Sequence, residues 1–300
     1  MVISAIVVLF HPNKDKVLEL INCLCGQVDF VIVVDNTPIK NDNSYGFEEY
    51  EKIFLISNGE NIGLAKAQNK GLSKAIDLGA DYFILFDQDS SVQDDFCESL
   101  LATYKKLELV YNKIAAVGPC FLDIKTGHKS PAITLGLLRL LKTPINDQEF
   151  YTKADYIISS GSLISYKSLK EIGLMKEELF IDFIDIEWGL RAKMKGYPSF
   201  ISNNTIMYHS IGDKVFKIPV LNKFLNIHSD FRKYFIIRNA IYLIIYSNLS
   251  LNWKVMQLFK CFGYVVLYSL SSKSIFNSLR ISFYSFCDAV FKRMGKTDRF

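Results

Sequence analysis

Tyr82-Phe83-Ile84-Leu85-Phe86-Asp87-Gln88-Asp89 reads as a buried strand that ends in two carboxylates, Asp87 and Asp89, two residues apart. An unbroken run of apolar, β-prone residues suits a strand covered on both faces, as in the middle of a parallel sheet. Where a strand end enters a turn, side chains two apart can reach one side. Their hard oxygens there suit a divalent cation able to carry a diphosphate. The plainer reading is capping of a helix that begins near Gln93, a duty that Ser90, Ser91 and Asp94 can also fill.

Outward from this stretch, apolar runs of strand length alternate with amphipathic segments. Residues 3–10, 30–35, 53–57 and 82–86 predict strands, residues 14–25 and 64–78 predict helices, and residues 114–118 predict a fifth strand. The alternation is that of an α/β fold, a mostly parallel sheet with flanking helices. In such sheets ligands gather beyond the carboxyl ends of the strands. Polar residues collect at those ends: Asp35-Asn36, then Asn58-Gly59-Glu60-Asn61-Ile62-Gly63, then Asp87-Gln88-Asp89. Asp35 can accept hydrogen bonds from a base or ribose, and Asn61 with Gly63 can set a tight turn that approaches a sugar or phosphate. Each is equally readable as loop punctuation. The sequence has neither spaced glycines after its first strand nor a Gly-Lys-Ser/Thr loop, which disfavours dinucleotide-dependent dehydrogenases and P-loop enzymes.

Between residues 121 and 155 the pattern weakens. Gly127, His128, Pro131 and Pro144 mark loops around a Leu-rich stretch at 135–141, read as a mobile or substrate-covering region in which His128 is a solvated loop residue. Residues 156–165 predict two strand segments flanking the small loop Ser159-Ser160-Gly161, followed by a helix over 166–172. Three acids, Asp182, Asp185 and Glu187, then crowd the start of a helix that runs to about Lys195. The helix dipole alone accounts for acids there. They also stand among Phe180, Phe183 and Trp188, so a carboxylate can be desolvated and poised to take a proton. Met207-Tyr208-His209 ends a short strand with a histidine that would complete an Asp/Asp/His metal shell.

The 300 residues are half apolar, enough for one large domain or a domain and a half. The net charge of +4 conceals an asymmetry: 21 Lys and Arg stand against 27 Asp and Glu in residues 1–209, and 14 against 4 in residues 210–300. The six cysteines lack zinc-type spacing and predict free thiols. The apolar first ten residues have neither a basic leader nor a small-residue cleavage site, so they read as a strand and a cytoplasmic location is expected. The basic, aromatic C-terminal third contains no membrane-spanning run. It predicts amphipathic helices suited to an anionic membrane surface or to a lid over the rest of the chain, and no nucleic-acid module is recognisable.

Taken in order, Val33-Val34-Asp35-Asn36, Asn61-Ile62-Gly63, Ala67-Gln68-Asn69-Lys70-Gly71, Phe86-Asp87-Gln88-Asp89, Ser160-Gly161-Ser162, Asp185-Ile186-Glu187-Trp188-Gly189-Leu190-Arg191 and Arg238-Asn239 resemble the family 2 glycosyltransferases of GT-A fold. Within them they resemble the bacterial rhamnosyltransferases that build O-antigen and related polysaccharides. The resemblance covers roughly residues 1–245. It implies a Rossmann-like GT-A catalytic domain over residues 1–212, with a nucleotide-sugar half at about 1–120 and an acceptor half at about 121–212, and a helical region over 213–300. It also implies inverting transfer of a sugar, L-rhamnose from dTDP-L-rhamnose, to a polyprenyl-diphosphate-linked glycan at the inner face of the cytoplasmic membrane. Asp87 and Asp89 would be the DXD motif and, with His209, would hold Mg²⁺ or Mn²⁺. Asp185 would be the general base, Asp35 and Asn36 would meet the nucleotide, Asn61 and Gly63 would line the donor site, and Gly161, Trp188 and Glu187 would form the acceptor side. Many relatives carry two adjacent acids before the helix where this chain has Ile184-Asp185, so Asp182 and Glu187 stand as candidates to share the base role.

Other readings use the same residues. UDP-galactofuranose or another donor would leave the motifs unchanged. A phosphohydrolase of the haloacid dehalogenase type also ends a strand in Asp-X-Asp, though on the first strand of its domain, whereas three predicted strands precede Asp87 here. An inactive sugar-nucleotide-binding protein would keep the fold without turnover.

Overall fold

A computed structural model describes residues 1–38, 45–47, 50–124, 126–209, 215–218, 223–226, 229–272 and 274–299, with backbone alone at 209, 215–218, 223–226 and 271. In chain order the first half comprises β1 (Ile3–Leu9), α1 (Lys14–Cys25), β2 (Phe30–Asp35), β3 (Ile53–Ser57), α2 (Leu64–Asp77), β4 (Tyr82–Asp87), α3 (Phe96–Glu108) and β5 (Val117–Asp123). There follow β6 (Ala132–Leu135), β7 (Leu140–Thr143), β8 (Tyr151–Ala154), β9 (Ser162–Ser165), α4 (Tyr166–Ile172), α5 (Ile184–Met194) and β10 (Ser199–His209). A small hairpin of β11 (Val215–Ile218) and β12 (Lys223–Asn226) leads to α6 (Asp230–Tyr246), α7 (Leu251–Ser271) and α8 (Ile275–Val290).

Eight strands form one sheet in the order β3-β2-β1-β4-β9-β5-β10-β8. The first four are mutually parallel, and the antiparallel β9 joins them to β5. Every residue of β1 is buried, and its side chains alternate between two cores: Ala5, Val7 and Leu9 face α1 and α3, while Ile6 and Val8 face α2 and the C-terminal elements. Burial on both faces is what an unbroken apolar strand requires. The register aligns the carboxyl ends, Leu9 opposite Asp35, Asp35 opposite Ser57 and Val8 opposite Asp87, so the polar residues that follow share one edge.

The structure departs from the sequence reading after residue 113. The fifth strand lies at Val117–Asp123, not 114–118, because Ala115 donates its amide to Pro198 O and the pairing with β10 begins only at Val117. Residues 156–158 form no strand, only an isolated bridge from Tyr156 to Ile133. The Leu-rich stretch is an antiparallel hairpin, β6 with β7. The strand ending at His209 is long, not short: eleven residues, with a register shift between Ser202 and Ile206.

Helices α6 and α7 share a core with the sheet, since Leu243, Trp253 and Met256 cluster with Ile184 and Trp188. Among the described residues no helix is long and apolar enough to cross a membrane.

Candidate active site

The turn after β4 is built first by its neighbours. The Gln88 side chain clamps the end of β1, accepting from Phe10 N at 2.7 Å and donating to Phe10 O at 3.2 Å. Asp87 is half-buried, and its amide donates to Ser160 Oγ at 3.2 Å. Asp89 is exposed on the turn closed by Ser90 N donating to Asp87 O. A bridge between Ser91 and Tyr208 draws the end of β10 beside this turn. The His209 side chain, the third predicted metal ligand, lies outside the described residues. Among the described residues no group of three metal-binding side chains occurs, and Asp87 and Asp89 are the two predicted ligands whose side chains are described. The hard oxygens of two carboxylates are of the kind that Mg²⁺ or Mn²⁺ takes.

The loops after β2 and β3 are tied together by amides. Asp35 is buried at the end of β2, where it accepts from Thr37 N at 2.7 Å and Tyr45 Oη at 2.8 Å. Burial, with that carboxylate adding to it, pushes the Tyr45 hydroxyl up to about 12. Asn36 donates to Gly63 O at 3.1 Å and accepts from Asn58 Nδ2 at 2.8 Å. Asn61 Oδ1 accepts from Gly63 N at 3.0 Å. Gly63 itself has φ +89°, and a Cβ there would lie 2.5 Å from the Phe180 ring and 2.9 Å from Phe180 O. Only glycine meets both constraints. Phe180 O in turn accepts from Leu64 N at 2.7 Å, so the loop that opens α2 is fastened to the segment before α5.

That segment is strained. Phe180, Asp182 and Phe183 have φ of +66°, +63° and +67°, a left-handed conformation that costs a non-glycine residue about 1–2 kcal/mol. Asn239 of α6, fully buried, offsets the strain by donating its amide N–H groups to the carbonyls of Leu179, Ile181 and Asp182 at 2.9, 2.8 and 3.0 Å. The adjacent Arg238 donates to Leu179 O and to Gly295 O. Arg232 holds the Asp182 carboxylate at 2.6 Å.

The strained turn delivers Asp185 to the first turn of α5. Its carboxylate is half-buried and accepts from Ile186 N at 2.8 Å; among the described residues no cation pairs with it. Burial pushes the Asp185 carboxyl up to about 6, the backbone amides oppose this, and the charges of Asp182 and Asp87 add to it. Such a group is ionised at neutral pH yet takes a proton more readily than an ordinary carboxylate. The reach of the Asp87 charge joins the strand-end acids and the helix-start acid in one site.

The remaining predicted residues frame it. Gly161, at φ +74°, donates to Leu85 O at 2.6 Å, and a Cβ there would lie 2.8 Å from Pro119 and 2.9 Å from Met207. Trp188 donates its indole N–H to Gly173 O at 2.8 Å and shares a small cavity with Asp185, Leu85 and Ser159. Glu187 is 2% exposed, and both of its oxygens are held by Arg191, at 2.9 and 3.1 Å. The part played by Asn239 escapes sequence reasoning, although a polar pair within Phe235-Ile236-Ile237-Arg238-Asn239-Ala240 is a signal that buried partners exist.

The sequence model of glycosyl transferase family 2 matches residues 4–173. The chain belongs to this family. This glycosyltransferase is 36% identical over 248 residues, 81% of its length and 79% of the relative's, to the dTDP-rhamnosyl transferase RfbF of Shigella flexneri. Among solved structures it resembles S. aureus TarS 1-349 in complex with UDP-GlcNAc, with a TM-score of 0.58 and 15% identity over 98% of this chain and 82% of that one. GalNAc-T7 with UDP, GalNAc and Mn²⁺ aligns with a TM-score of 0.58 and 12% identity over 96% of this chain and 57% of the other. These likenesses establish the GT-A fold, and membership of the family sets the phosphohydrolase reading aside.

Proposed function

We propose that this glycosyltransferase moves L-rhamnose from dTDP-L-rhamnose, with inversion, to a hydroxyl of a lipid-linked glycan in the synthesis of an O-antigen or related polysaccharide. Identity to a dTDP-rhamnosyl transferase supports the donor. The observation that carries the chemistry is Asp185, a carboxylate without a described cationic partner, raised to about 6 and within reach of the Asp87 charge.

In this reading Asp35 and Asn36 meet the nucleotide, and the Asn61–Gly63 turn lines the donor. Asp185 accepts the proton of the acceptor hydroxyl, whose oxygen forms the new bond to the anomeric carbon while the bond from that carbon to the diphosphate breaks. The nucleoside diphosphate leaves on the opposite face, so the configuration inverts. Asp87 and Asp89, with His209 as the third candidate, would hold Mg²⁺ or Mn²⁺, which neutralises charge on a departing diphosphate when bound. Arg191 pairs with Glu187 and Arg232 with Asp182, which supports Asp185 over its two neighbours as the base. Gly161 and Trp188 shape the acceptor side.

A lipid-linked acceptor calls for a way to meet the membrane. Helix α7 exposes Phe259, Phe262 and Val266, and α8 exposes Phe276, Leu279 and Phe283, each set at helical spacing on one face. With the basic excess of residues 210–300, these faces suit peripheral contact with an anionic leaflet at the cytoplasmic side.

The test is titration of dTDP with Mg²⁺ or Mn²⁺ into the wild type and Asp185→Asn, alongside turnover of dTDP-rhamnose. The expected result is equal nucleotide affinity, loss of turnover in the variant, and loss of both binding and turnover in EDTA. An Asp185→Asn protein that turns over normally would remove the base assignment.

A further inference from the structure

The segment after α8, residues 291–299, folds back onto the turn that delivers Asp185. One residue near the end of α8 fastens both of its ends. Asp288 is buried; its backbone oxygen accepts from Arg293 N at 2.8 Å, and its carboxylate accepts from Arg299 Nη1 at 2.7 Å. Tyr234 of α6 donates to the same carboxylate oxygen at 2.6 Å, so the segment is latched where α6 and α8 meet. Between these ends Gly295 stands at φ +79°, a conformation that glycine adopts freely. Gly295 N donates to Glu178 O at 2.9 Å, and Gly295 O accepts from Arg238 Nη1 at 2.7 Å. On one side of it Met294 packs on the core that holds Ile184 and Trp188. On the other, Lys296 reaches Glu60, in the loop of Asn61 and Gly63, at 3.6 Å. That exposed ion pair adds little stability, but it shows how near the segment lies to the loop.

Arg238 carries this contact to the base. Its side chain is fully buried, and its Nε and Nη2 donate to Asn239 Oδ1 at 3.2 and 3.1 Å. A guanidinium is a donor only, so it dictates which end of the Asn239 amide faces it. The Asn239 nitrogen is thereby turned to the carbonyls of Leu179, Ile181 and Asp182, in the strained turn that leads into α5. A buried guanidinium that loses an acceptor leaves a charged donor unsatisfied, and it has to turn toward another oxygen or toward water. Turning would release Asn239 and, with it, the strained turn.

We propose that Gly295 is a positioning residue for the general base: it seats Arg238, Arg238 orients Asn239, and Asn239 holds the turn from which Asp185 enters α5. The meaning of the position rests on the proposed transferase reading, whereas the chain of hydrogen bonds does not. Because that chain ends at the base, a fault at Gly295 lowers turnover and leaves donor affinity in place.

The test compares Gly295→Pro, which removes the N–H and forbids a positive φ, with Gly295→Asn. Asparagine keeps both backbone groups and tolerates this φ, and nothing lies within 4 Å of a Cβ at the position. Initial rates are measured with dTDP-rhamnose, Mg²⁺ and a polyprenyl-diphosphate-linked glycan. In Gly295→Pro kcat is expected to fall at least about tenfold, less than a 1 Å misplacement can cost, with KM for dTDP-rhamnose unchanged. Gly295→Asn should keep the kcat of the wild type. Wild-type kcat in Gly295→Pro, or a rise in KM as large as the fall in kcat, would overturn the proposal. Should Gly295→Pro fail to fold, Arg299→Gln loosens the latch at the surface and should show the same split; an unchanged kcat there would overturn the proposal equally. Hydrogen exchange gives a reading free of turnover, because Leu64 N donates to Phe180 O in the strained turn. Its exchange should be at least about tenfold faster in Gly295→Pro than in Gly295→Asn, and equal rates would refute the chain of contacts. Absence of dTDP release from dTDP-rhamnose by the wild type would refute the transferase reading, and the exchange rates would still decide whether Gly295 holds the turn.

Discussion

Asp185→Asn should make the protein more stable while making it inactive. An acid raised from 3.8 to about 6 in the folded state binds its proton more tightly folded than unfolded. Between those two values folding therefore gains from protonation, and as pH rises through the window that gain is lost, about 3 kcal/mol in all by neutral pH. Asparagine carries no charge to desolvate and its oxygen still accepts from Ile186 N, though more weakly, which returns about 1 kcal/mol. The net gain is about 2 kcal/mol near pH 7.5, or about 4 °C in Tm for a chain of this size. Near pH 5, where half of the ionisation cost has gone, the gain should fall to below about 1 kcal/mol. Urea unfolding in EDTA at the two pH values measures it, with kcat expected to fall by at least about a hundredfold. A variant no more stable than the wild type near pH 7.5, or a gain that does not shrink in acid, would refute the claim that burial raises this carboxylate.

Other consequences can be read in the same way. The ascending limb of kcat/KM against pH should have its midpoint near 6, set by Asp185 losing its proton as pH rises; a limb near 4 would point to a solvated base. Gly63→Ala meets both the positive φ and the Phe180 ring 2.5 Å away, and should cost about 3 kcal/mol in urea unfolding together with donor affinity. Asn239→Leu removes the donor to three carbonyls. It should cost about 2–3 kcal/mol in stability and lower kcat more than it raises KM for the donor, because it frees the turn that aims the base.

The sequence was most legible where one physical demand dominates. Strands β1, β2 and β4 announce themselves by their nearly unbroken burial and the helices by amphipathic spacing, and α1 matches its expected bounds, Lys14–Cys25. The aligned ends carrying Asp35, Asn36, Asn61, Gly63 and Asp87 follow from the parallel topology. Legibility fails where pairing depends on remote segments. Residues 156–158 are as apolar as a strand but meet only Ile133, and β5 begins at Val117 because β10 dictates its register. Asp182, Asp185 and Glu187 look equivalent in sequence. What separates them is the placing of Arg232 on Asp182 and Arg191 on Glu187, and spacing alone does not encode either contact across the fold.

The account is tested most directly by its donor. The purified protein, with Mg²⁺ or Mn²⁺, is incubated with a panel of dTDP-, UDP- and GDP-sugars, with and without a lipid-linked glycan acceptor, and nucleoside diphosphate release is recorded. The account predicts release of dTDP from dTDP-rhamnose that requires both metal and acceptor. Release from a UDP-sugar such as UDP-galactofuranose, with none from dTDP-rhamnose, would contradict it.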